Sequence, residues 1–287
     1  MNLYTIDTGF FKLDGGAMYG VVPKTIWNKL NPADENNLCS WALRCLLIED
    51  GNRLILVDTG NGDKQDAKFF SHYYLHGNDT IDSSLAKHGF NRNDITDVFL
   101  THLHFDHCGG AIVREGDKLA PGFPNAVYWS NQQHWDWAVQ PNEREKASFL
   151  KENILPIQES GRLNFIPIPD QKGLLLPFPS GITENISILS VNGHTKAMML
   201  PVIQYKQKTL VFMADLLPSV GHIPIPYVMA YDMFPLTSLQ EKKSFLQQAI
   251  EKDYTLFFEH DPKNECCNLQ LTEKGIRQKT VFKLSEW

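Results

Sequence analysis

The chain has 287 residues, of which 43% are hydrophobic and 21% charged, which is an ordinary composition for a soluble globular protein. Its net charge of −6 argues against nucleic acid as a partner. We expect neither a signal peptide nor a membrane anchor, because no basic leader precedes an apolar stretch and no apolar run approaches about 18 residues. The five cysteines have no paired spacing, which suits reduced thiols in the cytoplasm.

Short β-rich segments bounded by turn residues predict strands. In chain order they are 3–8, 41–48, 54–57, 98–101, 126–130, 186–191, 209–214 and 255–259. Asp50-Gly51 between the second and third favours a tight hairpin turn. Helices are predicted at 66–75, 81–88, 132–139, 143–154 and 239–252. Thr237 or Ser238 is the expected N-cap of the last helix.

The order of these elements indicates the fold class. Strands come in long groups, and helices fall between the groups rather than after every strand. This pattern favours an α/β (α+β) fold of two mixed sheets with helices packed outside them. We expect one domain over 1–287, since no change of composition marks a linker. The proline-rich segment 156–179 is expected to contain edge strands and loops.

The most informative segment follows the apolar run 98–100 and contains His102, His104, Asp106 and His107. Histidine is the commonest protein metal ligand. In extended backbone, residues two apart such as His102 and His104 point to the same side. A turn after them would direct Asp106 and His107 toward a neighbouring ion. The segment therefore predicts a metal site at the end of a strand.

Three later strands also end in candidate ligands. The strand at 186–191 leads into Gly193-His194-Thr195, the strand at 209–214 leads into Asp215, and the last predicted strand leads into His260. Together with His-x-His-x-Asp-His and the Asp58-Thr59-Gly60 turn, this series resembles the metallo-β-lactamase superfamily over nearly the whole chain. The resemblance implies a four-layer αββα sandwich with the site at one edge.

The resemblance also implies a division of the ligands between two metal ions. One ion would be held by His102, His104 and His194, and the other by Asp106, His107 and His260, with Asp215 bridging. Asp58 is expected to orient the histidine segment through hydrogen bonds. Histidine with open solvent positions is typical of catalytic zinc. We therefore expect two Zn²⁺, although the ligand set also suits Mn, Fe or Co.

Two further segments narrow the resemblance to the branch of N-acyl homoserine lactonases and methyl parathion hydrolase. One is 11–20, and the other runs from 216 to 232. The lactonases carry a tyrosine three residues after the bridging aspartate, where this chain has Pro218. A substrate-contacting hydroxyl would therefore come from Tyr227 or Tyr231, or His222 would take its place. His222 would donate a hydrogen bond or a proton to the substrate, or it is an ordinary loop histidine.

Met18, Tyr19, Tyr227 and Met229 are candidates for an apolar substrate pocket, with ordinary hairpin and loop packing as the alternative. The leading hypothesis is hydrolysis of a small ester-like substrate, with a lactone as the first candidate. A hydroxide shared by the two ions would attack the carbonyl, and Asp106 would carry a proton to the leaving group. The sequence thus predicts a small-molecule substrate and a quorum-quenching type of activity.

Several alternatives remain at this point. A phosphotriesterase or arylesterase of the methyl parathion hydrolase type fits the same branch. A thioesterase of the glyoxalase II kind would need a cationic pocket, and no Lys/Arg cluster lies near the strand ends. Outside catalysis, the chain would be a silent metal-binding ligand sensor. Aromatic segments at 128–129 and 135–137 would suit a contact between two copies in a homodimer.

Overall fold

The computed structural model describes residues 1–169, 173, 175–179 and 182–287. The strands are β1 (Asn2–Asp14), β2 (Leu38–Asp50), β3 (Arg53–Val57), β4 (Asp97–Phe99), β5 (Ile112–Glu115), β6 (Lys118–Pro121), β7 (Val127–Ser130), β8 (Leu163–Phe165), β9 (Leu175–Pro177), β10 (Ile186–Val191), β11 (Met198–Tyr205), β12 (Lys208–Phe212), β13 (Thr255–Phe257), β14 (Cys266–Thr272) and β15 (Gly275–Phe282). The helices are α1 (Gly15–Tyr19), α2 (Lys24–Trp27), α3 (Ala67–Ser71), α4 (Ile81–Lys87), α5 (Phe105–Cys108), α6 (Gln132–Val139), α7 (Lys151–Glu159) and α8 (Pro235–Glu251).

Two mixed sheets form the centre of the molecule. Within the described residues, the first sheet has the order β1-β2-β3-β4-β7-β8 and the second β15-β14-β13-β12-β11-β10-β9. In the first sheet β3, β4, β7 and β8 are parallel, whereas β1, β2 and β3 pair antiparallel. In the second sheet only the β12–β13 pairing is parallel. The prediction of two mixed sheets is confirmed.

Alternating side chains of the first sheet divide the core into layers. Leu46 and Ile48 of β2 belong to the core that both sheets share, together with residues of β10 to β13. Cys45 and Leu47 lie on the opposite face of β2, in the core that contains residues of α4, α6 and α7. Helices therefore cover the outer face of the first sheet, while the two sheets pack on each other through their inner faces.

The most local predictions agree best with the structure. The strand predicted at 186–191 is β10, and the helix predicted at 132–139 is α6. The Asp50-Gly51 turn joins β2 to β3, with Asp50 opposite Arg53 and Gly51 at φ 61°. Glycine adopts that left-handed conformation without the steric cost that a Cβ adds. Each of these elements depends on contacts among near neighbours in the chain.

Two helix predictions are wrong at their starts. The helix predicted at 143–154 begins only at Lys151, because residues 142–148 form a turn in which the side chain of Asn142 accepts hydrogen bonds from the amides of Arg144 and Glu145. The last helix begins at Pro235 rather than after Thr237 or Ser238. Proline suits the first helical position, since its missing N–H has no partner there.

The proline-rich segment combines different structures. β9 lies at the edge of the second sheet, as predicted for this segment. Pro156, however, lies inside α7, so this part of the prediction is wrong. Residues 170–172 and 174 of the segment lie outside the described residues.

The aromatic segments expected at a dimer surface are instead largely internal, so that prediction is wrong. Tyr128, Trp129 and Trp135 are buried, and Trp129 donates a hydrogen bond of 2.8 Å to Asp97. They are covered because β7 pairs with β4 on one side and β8 on the other, and α6 packs over the sheet. Among the described residues, no helix combines the length and apolar character needed to cross a bilayer.

Candidate metal centre and its cavity

Strand ends from both sheets deliver the candidate ligands. The segment after β4 carries His102 and His104, and α5 carries Asp106 and His107. In the second sheet, β10, β12 and β13 run in the same direction, because β11 is antiparallel to both β10 and β12 and β13 is parallel to β12. The residues after their carboxyl ends therefore meet at one edge of the sheet. These residues include His194, Asp215 and His260.

The first cluster consists of His102, His104, His194 and Asp215, all buried, with ligand atoms within 4.8 Å of one another. His104 Nδ1 lies 3.1 Å from His102 Nε2 and 3.1 Å from His194 Nε2. Asp215 Oδ2 lies 3.0 Å from His194 Nε2. Three imidazoles and one carboxylate oxygen thus surround one point.

The second cluster consists of Asp106, His107 and His260. His107 Nε2 and His260 Nε2 are 3.1 Å apart, and Asp106 Oδ2 lies 3.8 and 3.7 Å from these two nitrogens. Asp215 reaches this cluster as well, since its Oδ1 is 3.2 Å from His260 Nε2 and its Oδ2 is 3.5 Å from His107 Nε2. The Asp215 carboxylate therefore lies between the two clusters.

The outer ring nitrogens show how the five imidazoles are protonated. His194 Nδ1 donates to Asp232 and His260 Nδ1 donates to the Ala42 carbonyl, at 2.9 and 2.8 Å. His104 donates through Nε2 to Glu145 at 3.0 Å. A histidine that donates through one nitrogen presents a lone pair at the other.

The two remaining histidines follow the same pattern. His102 Nδ1 lies 3.1 Å from the Thr101 hydroxyl, which itself donates to Asp58 and so accepts from the ring. His107 Nδ1 lies 3.1 Å from Asp58. The inner ring nitrogens of the five histidines therefore point their lone pairs toward one another. Lone pairs only 3.1 Å apart repel unless a cation lies between them. The buried Oδ1 of Asp215 also accepts no hydrogen bond from the described residues. This donor set fits divalent cations.

Asp58 lies behind His107, where the sequence predicts an orienting residue. Its carboxylate accepts from the Thr101 amide at 2.8 Å and from the Thr101 hydroxyl at 2.6 Å, as well as from His107. Asp58 itself has φ 58°, a conformation that few non-glycine residues adopt. The turn it occupies is held to α5, because the Thr59 amide donates to the His107 carbonyl at 2.7 Å.

Close backbone packing explains Gly109, which directly follows α5. A Cβ at this position would lie 2.0 Å from the Asn61 carbonyl oxygen, which is backbone and cannot move aside cheaply. The Lys64 ammonium donates to the Gly109 carbonyl from the same loop. The turn after β3 is thus packed directly beneath the segment that carries Asp106 and His107.

Sequence reasoning missed two carboxylates that accept hydrogen bonds from candidate ligands, and a third acidic side chain that lies beside a candidate ligand without a hydrogen bond to it. Glu145 accepts from His104, Asp232 accepts from His194, and Glu259 lies 3.0 Å from His107 Nδ1. Burial alone would raise the pKa of Glu145, but hydrogen bonds from His104 and Trp137 lower it to about 2. Of these three residues, Glu259 was marked in the sequence by its position directly before the candidate ligand His260.

His134 lies outside the set of candidate ligands and is buried. Its Nε2 accepts from the Leu103 amide at 2.8 Å, and its Nδ1 donates to the Lys196 carbonyl at 2.6 Å. Burial lowers the pKa of His134 to about 4, so the ring is neutral and accepts this hydrogen bond. His134 thereby joins the His102–His104 segment to the loop after His194.

A cavity of about 350 Å³ opens above both clusters. Its floor contains His104, Asp106, His194, Asp215 and His260. Its walls are largely apolar, with Leu13, Met18, Phe105, Met229, Ala230 and Met233, and the polar side chains on them are Tyr73, Tyr231, Arg144, Glu145 and Ser148. A pocket of this size, mostly apolar with a few polar groups, is typical of a small-molecule site.

The structure separates the predicted substrate residues into two groups. Met18 and Met229 line the cavity, whereas Tyr19 and Tyr227 do not. Tyr19 is 1% exposed and stacks on His222 at a centroid distance of 4.7 Å. The expected contacts of Tyr19 and Tyr227 with substrate are corrected accordingly, because Tyr19 stacks on Trp27 in the core and the partly buried Tyr227 packs edge-on against Tyr19.

His222 does not face the cavity, which corrects its expected contact with substrate. Its Nδ1 lies 2.8 Å from the Ser219 hydroxyl, and its Nε2 donates to the Met18 carbonyl at 2.9 Å. Burial lowers the pKa of His222 to about 3, opposed by the hydrogen bond to Met18. The ring is therefore a neutral core group, as in the alternative interpretation of a satisfied loop histidine.

A cation-binding floor beneath an apolar cavity, at the edge of two packed sheets, defines a metal-dependent hydrolase. A family model described as the metallo-beta-lactamase superfamily matches residues 44–260, and the chain belongs to this superfamily. Similar solved structures include a probable metal-dependent hydrolase from Staphylococcus aureus, with TM-score 0.85 and 27% identity over 98% of this chain and 96% of that one.

Two lactonase structures are similar in fold. AidC, a dizinc quorum-quenching lactonase, has TM-score 0.77 and 22% identity over 98% of this chain and 95% of its own. An N-acyl homoserine lactone hydrolase with its product bound has TM-score 0.68 and 20% identity over 91% and 93%. The predicted superfamily and fold are thus confirmed, and the chain is a hydrolase.

Proposed function

We propose that the protein is a dinuclear metal-dependent hydrolase that opens a lactone or a similar small ester. The observation that carries the proposal is the convergence of five imidazole lone pairs on both sides of Asp215, at the floor of an apolar cavity. His102, His104 and His194 would hold one cation, and the second cluster would hold the other. Such a pair of cations activates water at neutral pH and polarises a carbonyl oxygen.

Residues of this chain would orient the substrate and move the proton. Asp106 lies on the cavity floor and would carry a proton to the departing alkoxide. Tyr231 and Tyr73 are the cavity-lining phenols among the described residues. Of the residues predicted to replace the missing tyrosine, Tyr231 therefore fits best, and Tyr227 and His222 do not line the cavity. Burial and the nearby Asp106 charge raise the pKa of Tyr73 to about 12, so its hydroxyl remains a hydrogen-bond donor.

The cavity favours a neutral substrate with an apolar arm. Its walls present methionine, leucine and aromatic side chains, and Arg144 is the one cationic side chain that lines it among the described residues. The two lactonases of similar fold, one described as dizinc and one with N-hexanoyl-L-homoserine bound, support zinc and an acyl homoserine lactone as the first cation and substrate to test.

Aromatic esters and phosphotriesters are the second candidate class. Phe105 and Tyr73 contact each other at a centroid distance of 4.6 Å with their rings tilted by 49°, beside Asp106, which would suit an aromatic leaving group. A hydrolase of the same superfamily, AbOPH, has TM-score 0.76 and 19% identity. A glutathione thioester is less compatible with this cavity, since it would need more cationic side chains than Arg144 provides.

The test combines metal analysis with a substrate panel. Protein purified and loaded with Zn²⁺ should contain two equivalents of the metal and hydrolyse acyl homoserine lactones faster than aryl esters, phosphotriesters or thioesters. His104→Ala should lose metal and activity, whereas the exposed His72→Ala should retain both. Equal activity of wild type and His104→Ala would refute the proposed metal centre. A metal-loaded protein that is inactive on every class would refute the proposal and leave the ligand-sensor alternative.

A further inference from the structure

Lys242 occupies a core-facing position of α8. The buried residues of this helix are Ser238, Lys242, Phe245, Leu246 and Ala249, whose spacing follows one helical face. Lys242 is 1% exposed, whereas the next residue, Lys243, is exposed. Lysine is almost never fully buried unless it is paired. The side chain at 242 therefore requires partners within the protein.

Those partners are two carbonyl groups of one loop. The Lys242 ammonium donates to the Pro224 and Tyr227 carbonyls, both at 2.8 Å. Burial lowers the pKa of Lys242 to about 7, and the charge of Asp232 opposes that shift. We name residues 224–232 the cavity loop. Lys242 thus fixes the beginning of the cavity loop and acts electrostatically on its end.

The cavity loop contributes to the site in two ways. Met229, Ala230 and Tyr231 line the substrate cavity. Asp232 accepts from His194 Nδ1 at 2.9 Å and so sets the orientation of that ligand. The next residue is tied to the same ligand, because the Met233 amide donates to the His194 carbonyl at 2.9 Å.

A small cavity connects these groups. It measures about 10 Å³, close to the space that one water molecule occupies, and its lining includes Lys242, Asp232, His222 and Asp215. Lys242 and the carboxylate between the two metal clusters therefore border the same internal space. A displacement at Lys242 would reach the metal centre through the cavity loop, whose Asp232 contacts His194.

We propose that Lys242 is a positioning residue of the metal centre: by holding the carbonyls of Pro224 and Tyr227, it keeps Asp232 against His194 and keeps the cavity loop in place. This inference rests on the hydrolase proposed above. Lys242 reaches the cluster of His102, His104 and His194 through Asp232, and among the described residues it makes no hydrogen bond to a partner of Asp106, His107 or His260. Its effect should therefore be confined to one of the two cation sites.

The experiment compares Lys242→Met with Lys243→Met. Both remove an ammonium from adjacent positions of α8, but only the first removes the side-chain hydrogen bonds to the Pro224 and Tyr227 carbonyls. Metal-free protein is titrated with Co²⁺ and the visible spectrum reports each binding step, so the readout does not require turnover. Lys242→Met should weaken one of the two steps about tenfold, the lower end for residues that orient metal ligands, and leave the other step unchanged. Lys243→Met should match wild type.

Other outcomes overturn the inference. Equal Co²⁺ affinities in the two variants, or an equal loss at both steps, would make Lys242 a general packing residue. If Lys242→Met does not fold, Lys242→Arg decides: it keeps the charge but displaces the donors, so a selective but smaller loss is expected, and wild-type affinities would refute the role. A wild-type protein that binds no Co²⁺ would instead remove the proposed function together with this inference.

Discussion

Glu145→Gln tests how the carboxylate behind His104 contributes to the metal centre. The Glu145 carboxylate accepts from His104 Nε2 at 3.0 Å through Oε1, and from Trp137 Nε1 at 2.6 Å and Asn142 Nδ2 at 3.2 Å through Oε2. Glutamine has one acceptor oxygen and one donor NH₂. If its oxygen faces His104, the NH₂ opposes the N–H of Trp137. If it faces Trp137, His104 is driven to place its proton on Nδ1, where the cation would bind.

The expected magnitude follows from these contacts. A hydrogen bond to a charged group contributes about 1.5–3 kcal/mol, against about 0.5–1.5 kcal/mol for a neutral pair. The loss of about 1.4 kcal/mol corresponds to a tenfold change in an equilibrium constant. We therefore expect Glu145→Gln to weaken cation binding at the site that contains His104 about tenfold.

The assay is competition for Zn²⁺ against a chelator of known affinity. Glu143→Gln is the matched control, since the Glu143 side chain is 88% exposed and pairs with Lys146 at the surface. The control should bind both equivalents as wild type does. If Glu145→Gln also binds both equivalents with wild-type affinity, the argument that Glu145 fixes the protonation of His104 is wrong.

Three further predictions concern the whole site, the cavity and the core. Removal of metal with a chelator should abolish hydrolysis, and Zn²⁺ should restore it; activity that survives complete removal would contradict the mechanism. Tyr231→Phe should raise KM about fivefold, which corresponds to the loss of about one hydrogen bond, whereas Tyr227→Phe should leave KM unchanged. A KM of Tyr231→Phe equal to that of wild type would exclude Tyr231 from substrate binding. His222→Phe should alter the pH dependence of stability. The pKa of His222 is about 3 in the folded state and 6.5 in the unfolded state, so between these pH values the unfolded state binds the extra proton. On acidification through this range, the free energy of unfolding of wild type should therefore fall by up to about 1.4 kcal/mol per pH unit. In urea melts, the free energy of unfolding of wild type minus that of His222→Phe should decrease as the pH falls through this range. A difference that does not change with pH would refute a buried neutral histidine at this position.

The convergence of the candidate ligands was predictable because their chemistry is local in the sequence. His102, His104, Asp106 and His107 lie within one short segment, and each of the remaining ligands follows a recognisable apolar strand. A strand end is visible as a pattern of neighbouring residues, and the order of such patterns carries the family resemblance. The sequence therefore predicts which residues could hold a metal, as well as the two sheets that bring them together.

The residues around those ligands were not predictable for a physical reason. Glu145 and Asp232 contact histidines 41 and 38 residues away, so nothing in their own neighbourhood marks them. Glu145 even lay within a predicted helix, which the structure replaces with a turn. The direction of a side chain is equally hidden: Tyr19 and Met18 are adjacent, but only Met18 lines the cavity. Lys242 lies at a helical position where the pattern alone predicts an apolar side chain.

The origin of the ligands in two different sheets has a consequence for heat resistance. The segment after β4 belongs to the first sheet, whereas His194, Asp215 and His260 follow strands of the second. A cation held by both would act as a cross-link between the two halves of the sandwich, and an unfolded chain has no such site. Each cation present at about 100 times its Kd would then add about 2.7 kcal/mol to the free energy of unfolding. The melting temperature should accordingly rise with the free zinc concentration, so that a thermal scan in zinc buffers measures metal affinity before any substrate is known.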